Sequence, residues 1–234
     1  MIKTWGIIGA MEVEVEDLRD RLENVMVSKI ASMYFYDGTF EGKRVIVVRS
    51  GVGKVNAAMC TQILVDRYNV SAVINTGIAG SLKNEIDIGD IVVSTDAVQH
   101  DVDATVFGYK KGQIPQSEEY IFPANKELRE LAVRVCRESI PGIKVFEGRI
   151  LSGDQFVSDD AVKADLVREF GGYCTEMEGA SIAQAAWLNK VPFVILRAIS
   201  DKADGSAGMV YDEFEKMAAV NSVTLVTNMI REGR

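Results

Sequence analysis

Apolar positions along the chain recur in two alternating rhythms. Short runs with period two or unbroken burial read as strands, and longer stretches with apolar residues three or four apart read as helices. Thr4 to Ala10 reads as the first strand, and Met11 to Leu22 as a helix carried by Val15, Leu18 and Leu22. Met33 to Phe40 and Arg44 to Arg49 follow as strands, with Asp37-Gly38 and Glu41-Gly42 as turn signals. Lys54 to Tyr68 is helical, with Val55, Ala58, Met59, Ile63 and Leu64 as its stripe. Ala72 to Asn75 and Asp90 to Val98 are strands. Lys126 to Glu138 is a helix, Lys144 to Ser152 a strand, and Ser158 to Phe170 a helix with Ser158 as its N-cap. Tyr173 to Glu176 is a short strand, Gly179 to Asn189 a small-residue helix, Pro192 to Ser200 an apolar strand, and Tyr211 to Arg231 a last helix.

Gln99 to Asn125 breaks the rhythm. It holds two of the four prolines and several aromatics, and loops of that length usually cover something. No repeat or low-complexity linker divides the chain, so residues 1–234 read as one domain. The alternation predicts an α/β fold: a three-layer α/β/α sandwich around a mixed, mostly parallel sheet. In such folds ligands sit beyond the carboxyl ends of the strands.

Composition narrows the chemistry. With 234 residues, 47% of them hydrophobic, the chain can bury a core without staples. A net charge of −8 with no basic cluster argues against nucleic acid as a partner. Three cysteines without CxxC spacing argue against a disulfide framework or a zinc site and fit a reducing compartment. One histidine, His100, excludes motifs needing two. No apolar run has the length of a membrane span, and the start lacks the features of a signal peptide. The expected location is the cytoplasm.

Small residues, carboxylates and methionines gather at the predicted strand ends. Gly51-x-Gly53 imitates a dinucleotide fingerprint, but Asn56 stands where the third glycine belongs, and Lys54 lies in no P-loop frame. The glycines are therefore either tight turns or places where the backbone closely approaches a flat ligand. Glu12 and Glu14 near the first helix start, Glu178 at the start of the small-residue helix and Asp201 after the last strand have a plain use in complementing helix or turn ends. Brought together at an apolar edge, they also suit acid/base work on a neutral substrate. The His100-Asp101 pair has no strained nucleophile beside it and reads as structural.

Seven segments in order carry a resemblance: Ile7-Ile8-Gly9-Ala10-Met11-Glu12-Val13-Glu14, Ser50-Gly51-Val52-Gly53-Lys54-Val55, Ile74-Asn75-Thr76-Gly77, Phe107-Gly108-Tyr109, Ser152-Gly153-Asp154, Glu176-Met177-Glu178 and Arg197-Ala198-Ile199-Ser200-Asp201. Over nearly its whole length the chain resembles the bacterial 5′-methylthioadenosine/S-adenosylhomocysteine nucleosidases of the nucleoside phosphorylase superfamily. The resemblance implies water-driven cleavage of the bond between adenine and a 5′-substituted ribose, with no metal and no cofactor. It implies Glu14 as general base, although Val13 replaces the middle Glu of the family run, and Asp201 as general acid. Glu178 is implied to hold the ribose hydroxyls and Met177 to pack under the sugar. Phe156 and the Val157 backbone match adenine-binding positions; Met11, Val52, Gly80, Arg197 and Tyr211 match other pocket positions. A homodimer is implied, with Phe107 and Pro115 covering the 5′-substituent in the neighbouring subunit's pocket. Ile78 stands where the family commonly has a serine expected to steady the acid, so Asp201 must be oriented by Ser200 or a backbone N–H. Two further enzymatic readings remain open, hydrolysis of 6-amino-6-deoxyfutalosine and phosphate-dependent purine nucleoside phosphorolysis. A non-catalytic nucleoside-binding module is the third. The first strand end carries carboxylates and no arginine, which repels phosphate and suits water.

Overall fold

A computed structural model describes residues 2–205 and 207–233, with side chains described except at 207–213 and 215. Ten strands form one sheet: β1 (Thr4–Gly9), β2 (Glu23–Ile30), β3 (Met33–Phe40), β4 (Lys43–Arg49), β5 (Ala72–Ser81), β6 (Ile91–Gln99), β7 (Phe122–Pro123), β8 (Val145–Ser152), β9 (Cys174–Glu176) and β10 (Phe193–Asp201). The helices are α1 (Glu16–Asp20), α2 (Lys54–Tyr68), α3 (Lys126–Ser139), α4 (Asp160–Phe170), α5 (Gly179–Leu188) and α6 (Ala207–Glu232).

The sheet runs β10-β6-β8-β9-β5-β1-β4-β3-β2, with β7 beside β6. It is mixed, and its middle is parallel: β4, β1, β5 and β10 pair in one direction. β10 also pairs with β5, so β5, β10, β6, β8 and β9 close into a ring. Every residue of β1, β5 and β10 is buried, as two-sided cover requires. On one face Trp5, Ile7, Ile74 and Leu196 pack with α3 and α6 residues such as Val135, Leu225 and Met229. On the other Ile8, Val48, Val73 and Ile195 pack with Leu64 of α2 and Ile182 and Ala186 of α5. The sheet is thus the middle of three layers.

Four local departures from the sequence pattern have physical causes. The helix expected from Met11 to Leu22 is a 3-10 turn, Glu12–Glu14, followed by the short α1. Glu14 turns back to accept backbone N–H groups, which interrupts the helical ladder there. Asp37-Gly38 is no turn. It lies mid-strand in β3, where a Cβ on Gly38 would come 2.9 Å from the Glu23 carbonyl. Helix α4 is capped by Asp159, not Ser158: its carboxylate accepts from the N–H groups of Ala161 (2.9 Å) and Val162 (3.0 Å). The long stretch after β6 contains a 3-10 turn at Thr105–Phe107 and the short β7.

Candidate active site

A cleft opens where the ends of β1, β5, β9 and β10 meet, with about 570 Å³ of space between its walls, its open mouth included. Met11, Glu14, Val52, Gly80, Phe156, Val157, Met177, Glu178 and Asp201 all line it. Elements up to 190 residues apart in sequence are brought to one wall. Arg197 is buried beneath it rather than in its lining, 2% exposed. Phe107 and Pro115 are exposed and do not reach this chain's own cleft, and the Tyr211 side chain lies outside the described residues.

Glu14 is 4% exposed and held from three sides. Its Oε2 accepts from the N–H of Ala10 (2.6 Å) and Met11 (3.0 Å), and its Oε1 from the N–H of Ile78 (3.1 Å). Gly77 makes room: a Cβ there would stand 2.6 Å from Glu14 Oε1 and 3.2 Å from an Arg197 guanidinium nitrogen. Burial pushes the Glu14 pKa up, while Arg197 and the three N–H groups pull toward the ionised form.

Asp201 ends β10. Its Oδ1 accepts from the Ala203 N–H (2.7 Å) and its Oδ2 from the Ser200 hydroxyl (2.8 Å). Ser200 and a backbone N–H therefore orient it. Position 78 also reaches the other carboxylate, through its backbone: Ile78 donates its N–H to Glu14. Burial lifts the Asp201 pKa, opposed by those two hydrogen bonds but by no guanidinium in contact. A Cβ on Gly80 would stand 2.7 Å from Asp201 Oδ1, so this glycine is space for the carboxylate.

Glu178 is the N-cap residue of α5 and accepts at Oε1 from the Gly53 N–H at 2.8 Å. Burial, followed by the negative charge of Glu176, raises its pKa to about 8. At pH 7 this carboxyl is largely protonated and offers both a donor and an acceptor.

The sequence reading did not single out Glu176 by itself. It lines the cleft and pairs with Arg197, both nearly fully buried. Its carboxylate also accepts from the Ser152 hydroxyl and the N–H groups of Glu178 (3.1 Å) and Gly179 (2.8 Å). Arg197 donates to Asn75 Oδ1 at 2.5 Å, and Asn75 is fixed in turn by its Nδ2, which donates to the Ile8 carbonyl at 3.0 Å. One guanidinium thus stands among Glu14, Glu176 and Glu178, and burial alone would not allow three carboxylates so close. The period-two Glu176-x-Glu178 spacing at a strand end was the available signal. His100 is packed against Gly153, while Asp101 turns to the Lys54 ammonium at 2.6 Å, so the two do not form a catalytic pair.

Residues 4–231 match the family model described as "Phosphorylase superfamily". The 5′-methylthioadenosine/S-adenosylhomocysteine nucleosidase of Halalkalibacterium halodurans is 45% identical over 96% of both chains. The chain belongs to this nucleosidase family of the phosphorylase superfamily. Among solved structures, the Neisseria meningitidis nucleosidase of the same name, in complex with methylthio-immucillin-A, superposes on this family member with a TM-score of 0.94. It is 42% identical, covering 98% of this chain and 99% of that one. A futalosine hydrolase of Helicobacter pylori also reaches 0.94, at 36% identity and 99% coverage of both chains.

Proposed function

We propose that the chain hydrolyses the N-glycosidic bond of 5′-methylthioadenosine and S-adenosylhomocysteine, releasing adenine and the 5-thio-substituted ribose. The observation that carries this reading is the meeting of Glu14, Glu178 and Asp201 in one buried cleft, with different groups opposing the burial of each. The identity to nucleosidases along the whole chain supports it.

Glu14 has Arg197 and three N–H groups favouring its anion, which suits a base that takes a proton from water. Asp201 has fewer anion-stabilising partners and suits the acid that protonates or hydrogen-bonds the departing adenine at N7. Positive charge then develops on the ribose, where surrounding carboxyls stabilise an oxocarbenium-like state more than the ground state. Glu178 holds the ribose hydroxyls and Met177 packs under the sugar; Phe156 and the Val157 backbone take the adenine. Met11, Val52 and Gly80 complete the pocket, and Arg197 acts from beneath it. No metal or cofactor takes part. Water rather than phosphate is the nucleophile: a carboxylate occupies the attack side, and Glu176 and Asn75 engage the nearby guanidinium.

Residues 1–234 act as one domain, and the enzyme works as a cytoplasmic homodimer in which Phe107 and Pro115 cover the 5′-substituent in the partner's cleft. Phe107, 81% exposed beside the equally bare Val106, supports that arrangement. Hydrolysis of 6-amino-6-deoxyfutalosine is a second reading, supported by a futalosine hydrolase that reaches the same TM-score of 0.94 at a lower identity, 36% against 42%.

Incubation with 5′-methylthioadenosine in phosphate-free buffer tests the proposal. Adenine is expected from the native chain, with a loss of about 10²–10⁴ in rate for Asp201→Asn. No adenine from 5′-methylthioadenosine, with release from the futalosine derivative, would move the assignment to the second reading. Activity that requires phosphate would overturn hydrolysis.

A further inference from the structure

Helix α2 begins without a cap of its own. Its N-cap residue, Gly53, has no side chain to accept from the first turn, and its backbone sits at φ +98°, a region that favours glycine. Two carboxylates from distant parts of the chain serve the exposed N–H groups instead. Asp154, in the loop after β8, accepts from the Lys54 N–H at 2.8 Å. Glu178, one residue before α5, accepts from the adjacent Gly53 N–H at 2.8 Å. A Cβ on Gly53 would stand 3.1 Å from Asp154 Oδ1, so the glycine also admits the cap.

Asp154 is itself tied down. Its backbone N–H donates to Asp101 Oδ2 at 3.0 Å, and Asp101 Oδ1 accepts from the Lys54 ammonium at 2.6 Å. Lys54, Asp154 and Asp101 therefore form a closed cycle that joins the loops after β4, β6 and β8. Asp154 does not line the cleft, but the Gly53 N–H beside its cap is the donor to the Glu178 carboxyl.

We propose that Asp154 is a positioning residue for recognition of the ribose: by capping α2 from the loop after β8 it aims the Gly53 N–H at Glu178 and fixes that carboxyl for the sugar hydroxyls. This rests on the nucleosidase reading. The effect belongs to the sugar and not to the base, because adenine alone makes no use of Glu178. Without the cap the 51–54 turn loses its anchor and the carboxyl loses its fixed direction.

Calorimetry with adenine and with 5′-methylthioadenosine tests this, in an Asp201→Asn background that suppresses turnover. Asp154→Ala is expected to weaken nucleoside binding about tenfold, the worth of one well-made hydrogen bond, and to leave adenine binding within about twofold. Asp154→Asn keeps an oxygen that accepts from Lys54 and is expected to stay within about threefold of its parent for both ligands. Equal weakening of both ligands by Asp154→Ala would show a general loosening of the cleft and overturn the proposal. So would unchanged nucleoside binding, or an Asn variant as defective as the Ala variant. A native chain that releases no adenine from 5′-methylthioadenosine would instead count against the nucleosidase reading, leaving the two failures distinguishable.

Discussion

Glu178→Gln separates the electrostatic cost of this carboxyl from its packing. The native carboxyl ionises near pH 8, against an ordinary value of 4.5. Between those values the folded chain holds a proton that the unfolded chain has released. Stability therefore falls as pH rises through that window, with a limiting slope of about 1.4 kcal/mol per pH unit. By pH 8 the accumulated penalty exceeds that at pH 5 by about 3 kcal/mol. Glutamine keeps an oxygen for the Gly53 N–H and has nothing to titrate, so the variant escapes this term. Asp201 remains in both proteins, and its largest shifts come from groups other than Glu178. For a chain of this length the melting temperature of the variant should gain on that of the native protein by about 6–12 °C between pH 5 and pH 8. Calorimetric melts at matched protein concentration read the difference. Parallel curves, within about 2 °C across the window, would refute the placement of a protonated carboxyl at this site.

Gly77→Ala puts a methyl group 2.6 Å from Glu14 Oε1, so the carboxylate must move by most of an ångström and give up the Ile78 N–H. A fall in kcat of about 10² is expected, with adenine affinity unchanged by calorimetry; retained kcat would remove Glu14 from the role of base. Arg197→Leu strands the buried Glu176 and is expected to cost about 3–5 kcal/mol, read as a drop in denaturant midpoint. Adding Glu176→Leu should restore part of that loss, since the second change removes the uncompensated charge.

The elements visible in the sequence are those whose burial imposes a rhythm. Helix α2 keeps the predicted bounds but not the predicted stripe: Ala57, Cys60, Thr61, Leu64 and Tyr68 are its buried residues, while Val55 and Met59 are exposed, because small and polar side chains on the packed face hide it from a count of apolar positions; β10 reads as one apolar run because both its faces are covered. Strand β2 gave no such signal: seven of its eight residues are exposed, and its apolar residues Val25, Met26 and Val27 stand next to one another rather than alternating with polar ones. β5 was read only to Asn75 because Thr76-Gly77-Ile78-Ala79-Gly80 looks like a loop, and its glycines are explained only by carboxylates that approach from other elements. The same reason divides the site. Residues in strand-end motifs were legible individually, as was their gathering at one edge. Asp154 stood in a legible motif, Ser152-Gly153-Asp154, but its partner did not: it acts on a helix start 100 residues earlier, which no local pattern announces. Nor did position 78 reveal its neighbour: the contact with Glu14 is made by backbone, whose bonding the side chain's identity does not announce.

The ring formed by β5, β10, β6, β8 and β9 has a consequence for how the cleft can breathe. β10, which ends in Asp201, is laddered on both sides, and β5 shares a further ladder with β1, whose end leads into Glu14. Parting the strands that lead to the two carboxylates would mean breaking ladders between fully buried strands, an opening whose cost approaches that of global unfolding. Slow amide exchange is therefore expected at both ends of the proton path. Fluctuations that admit the nucleoside and release its fragments are left to the loops around the rim, so traffic through the cleft and the spacing of its acid and base are mechanically uncoupled.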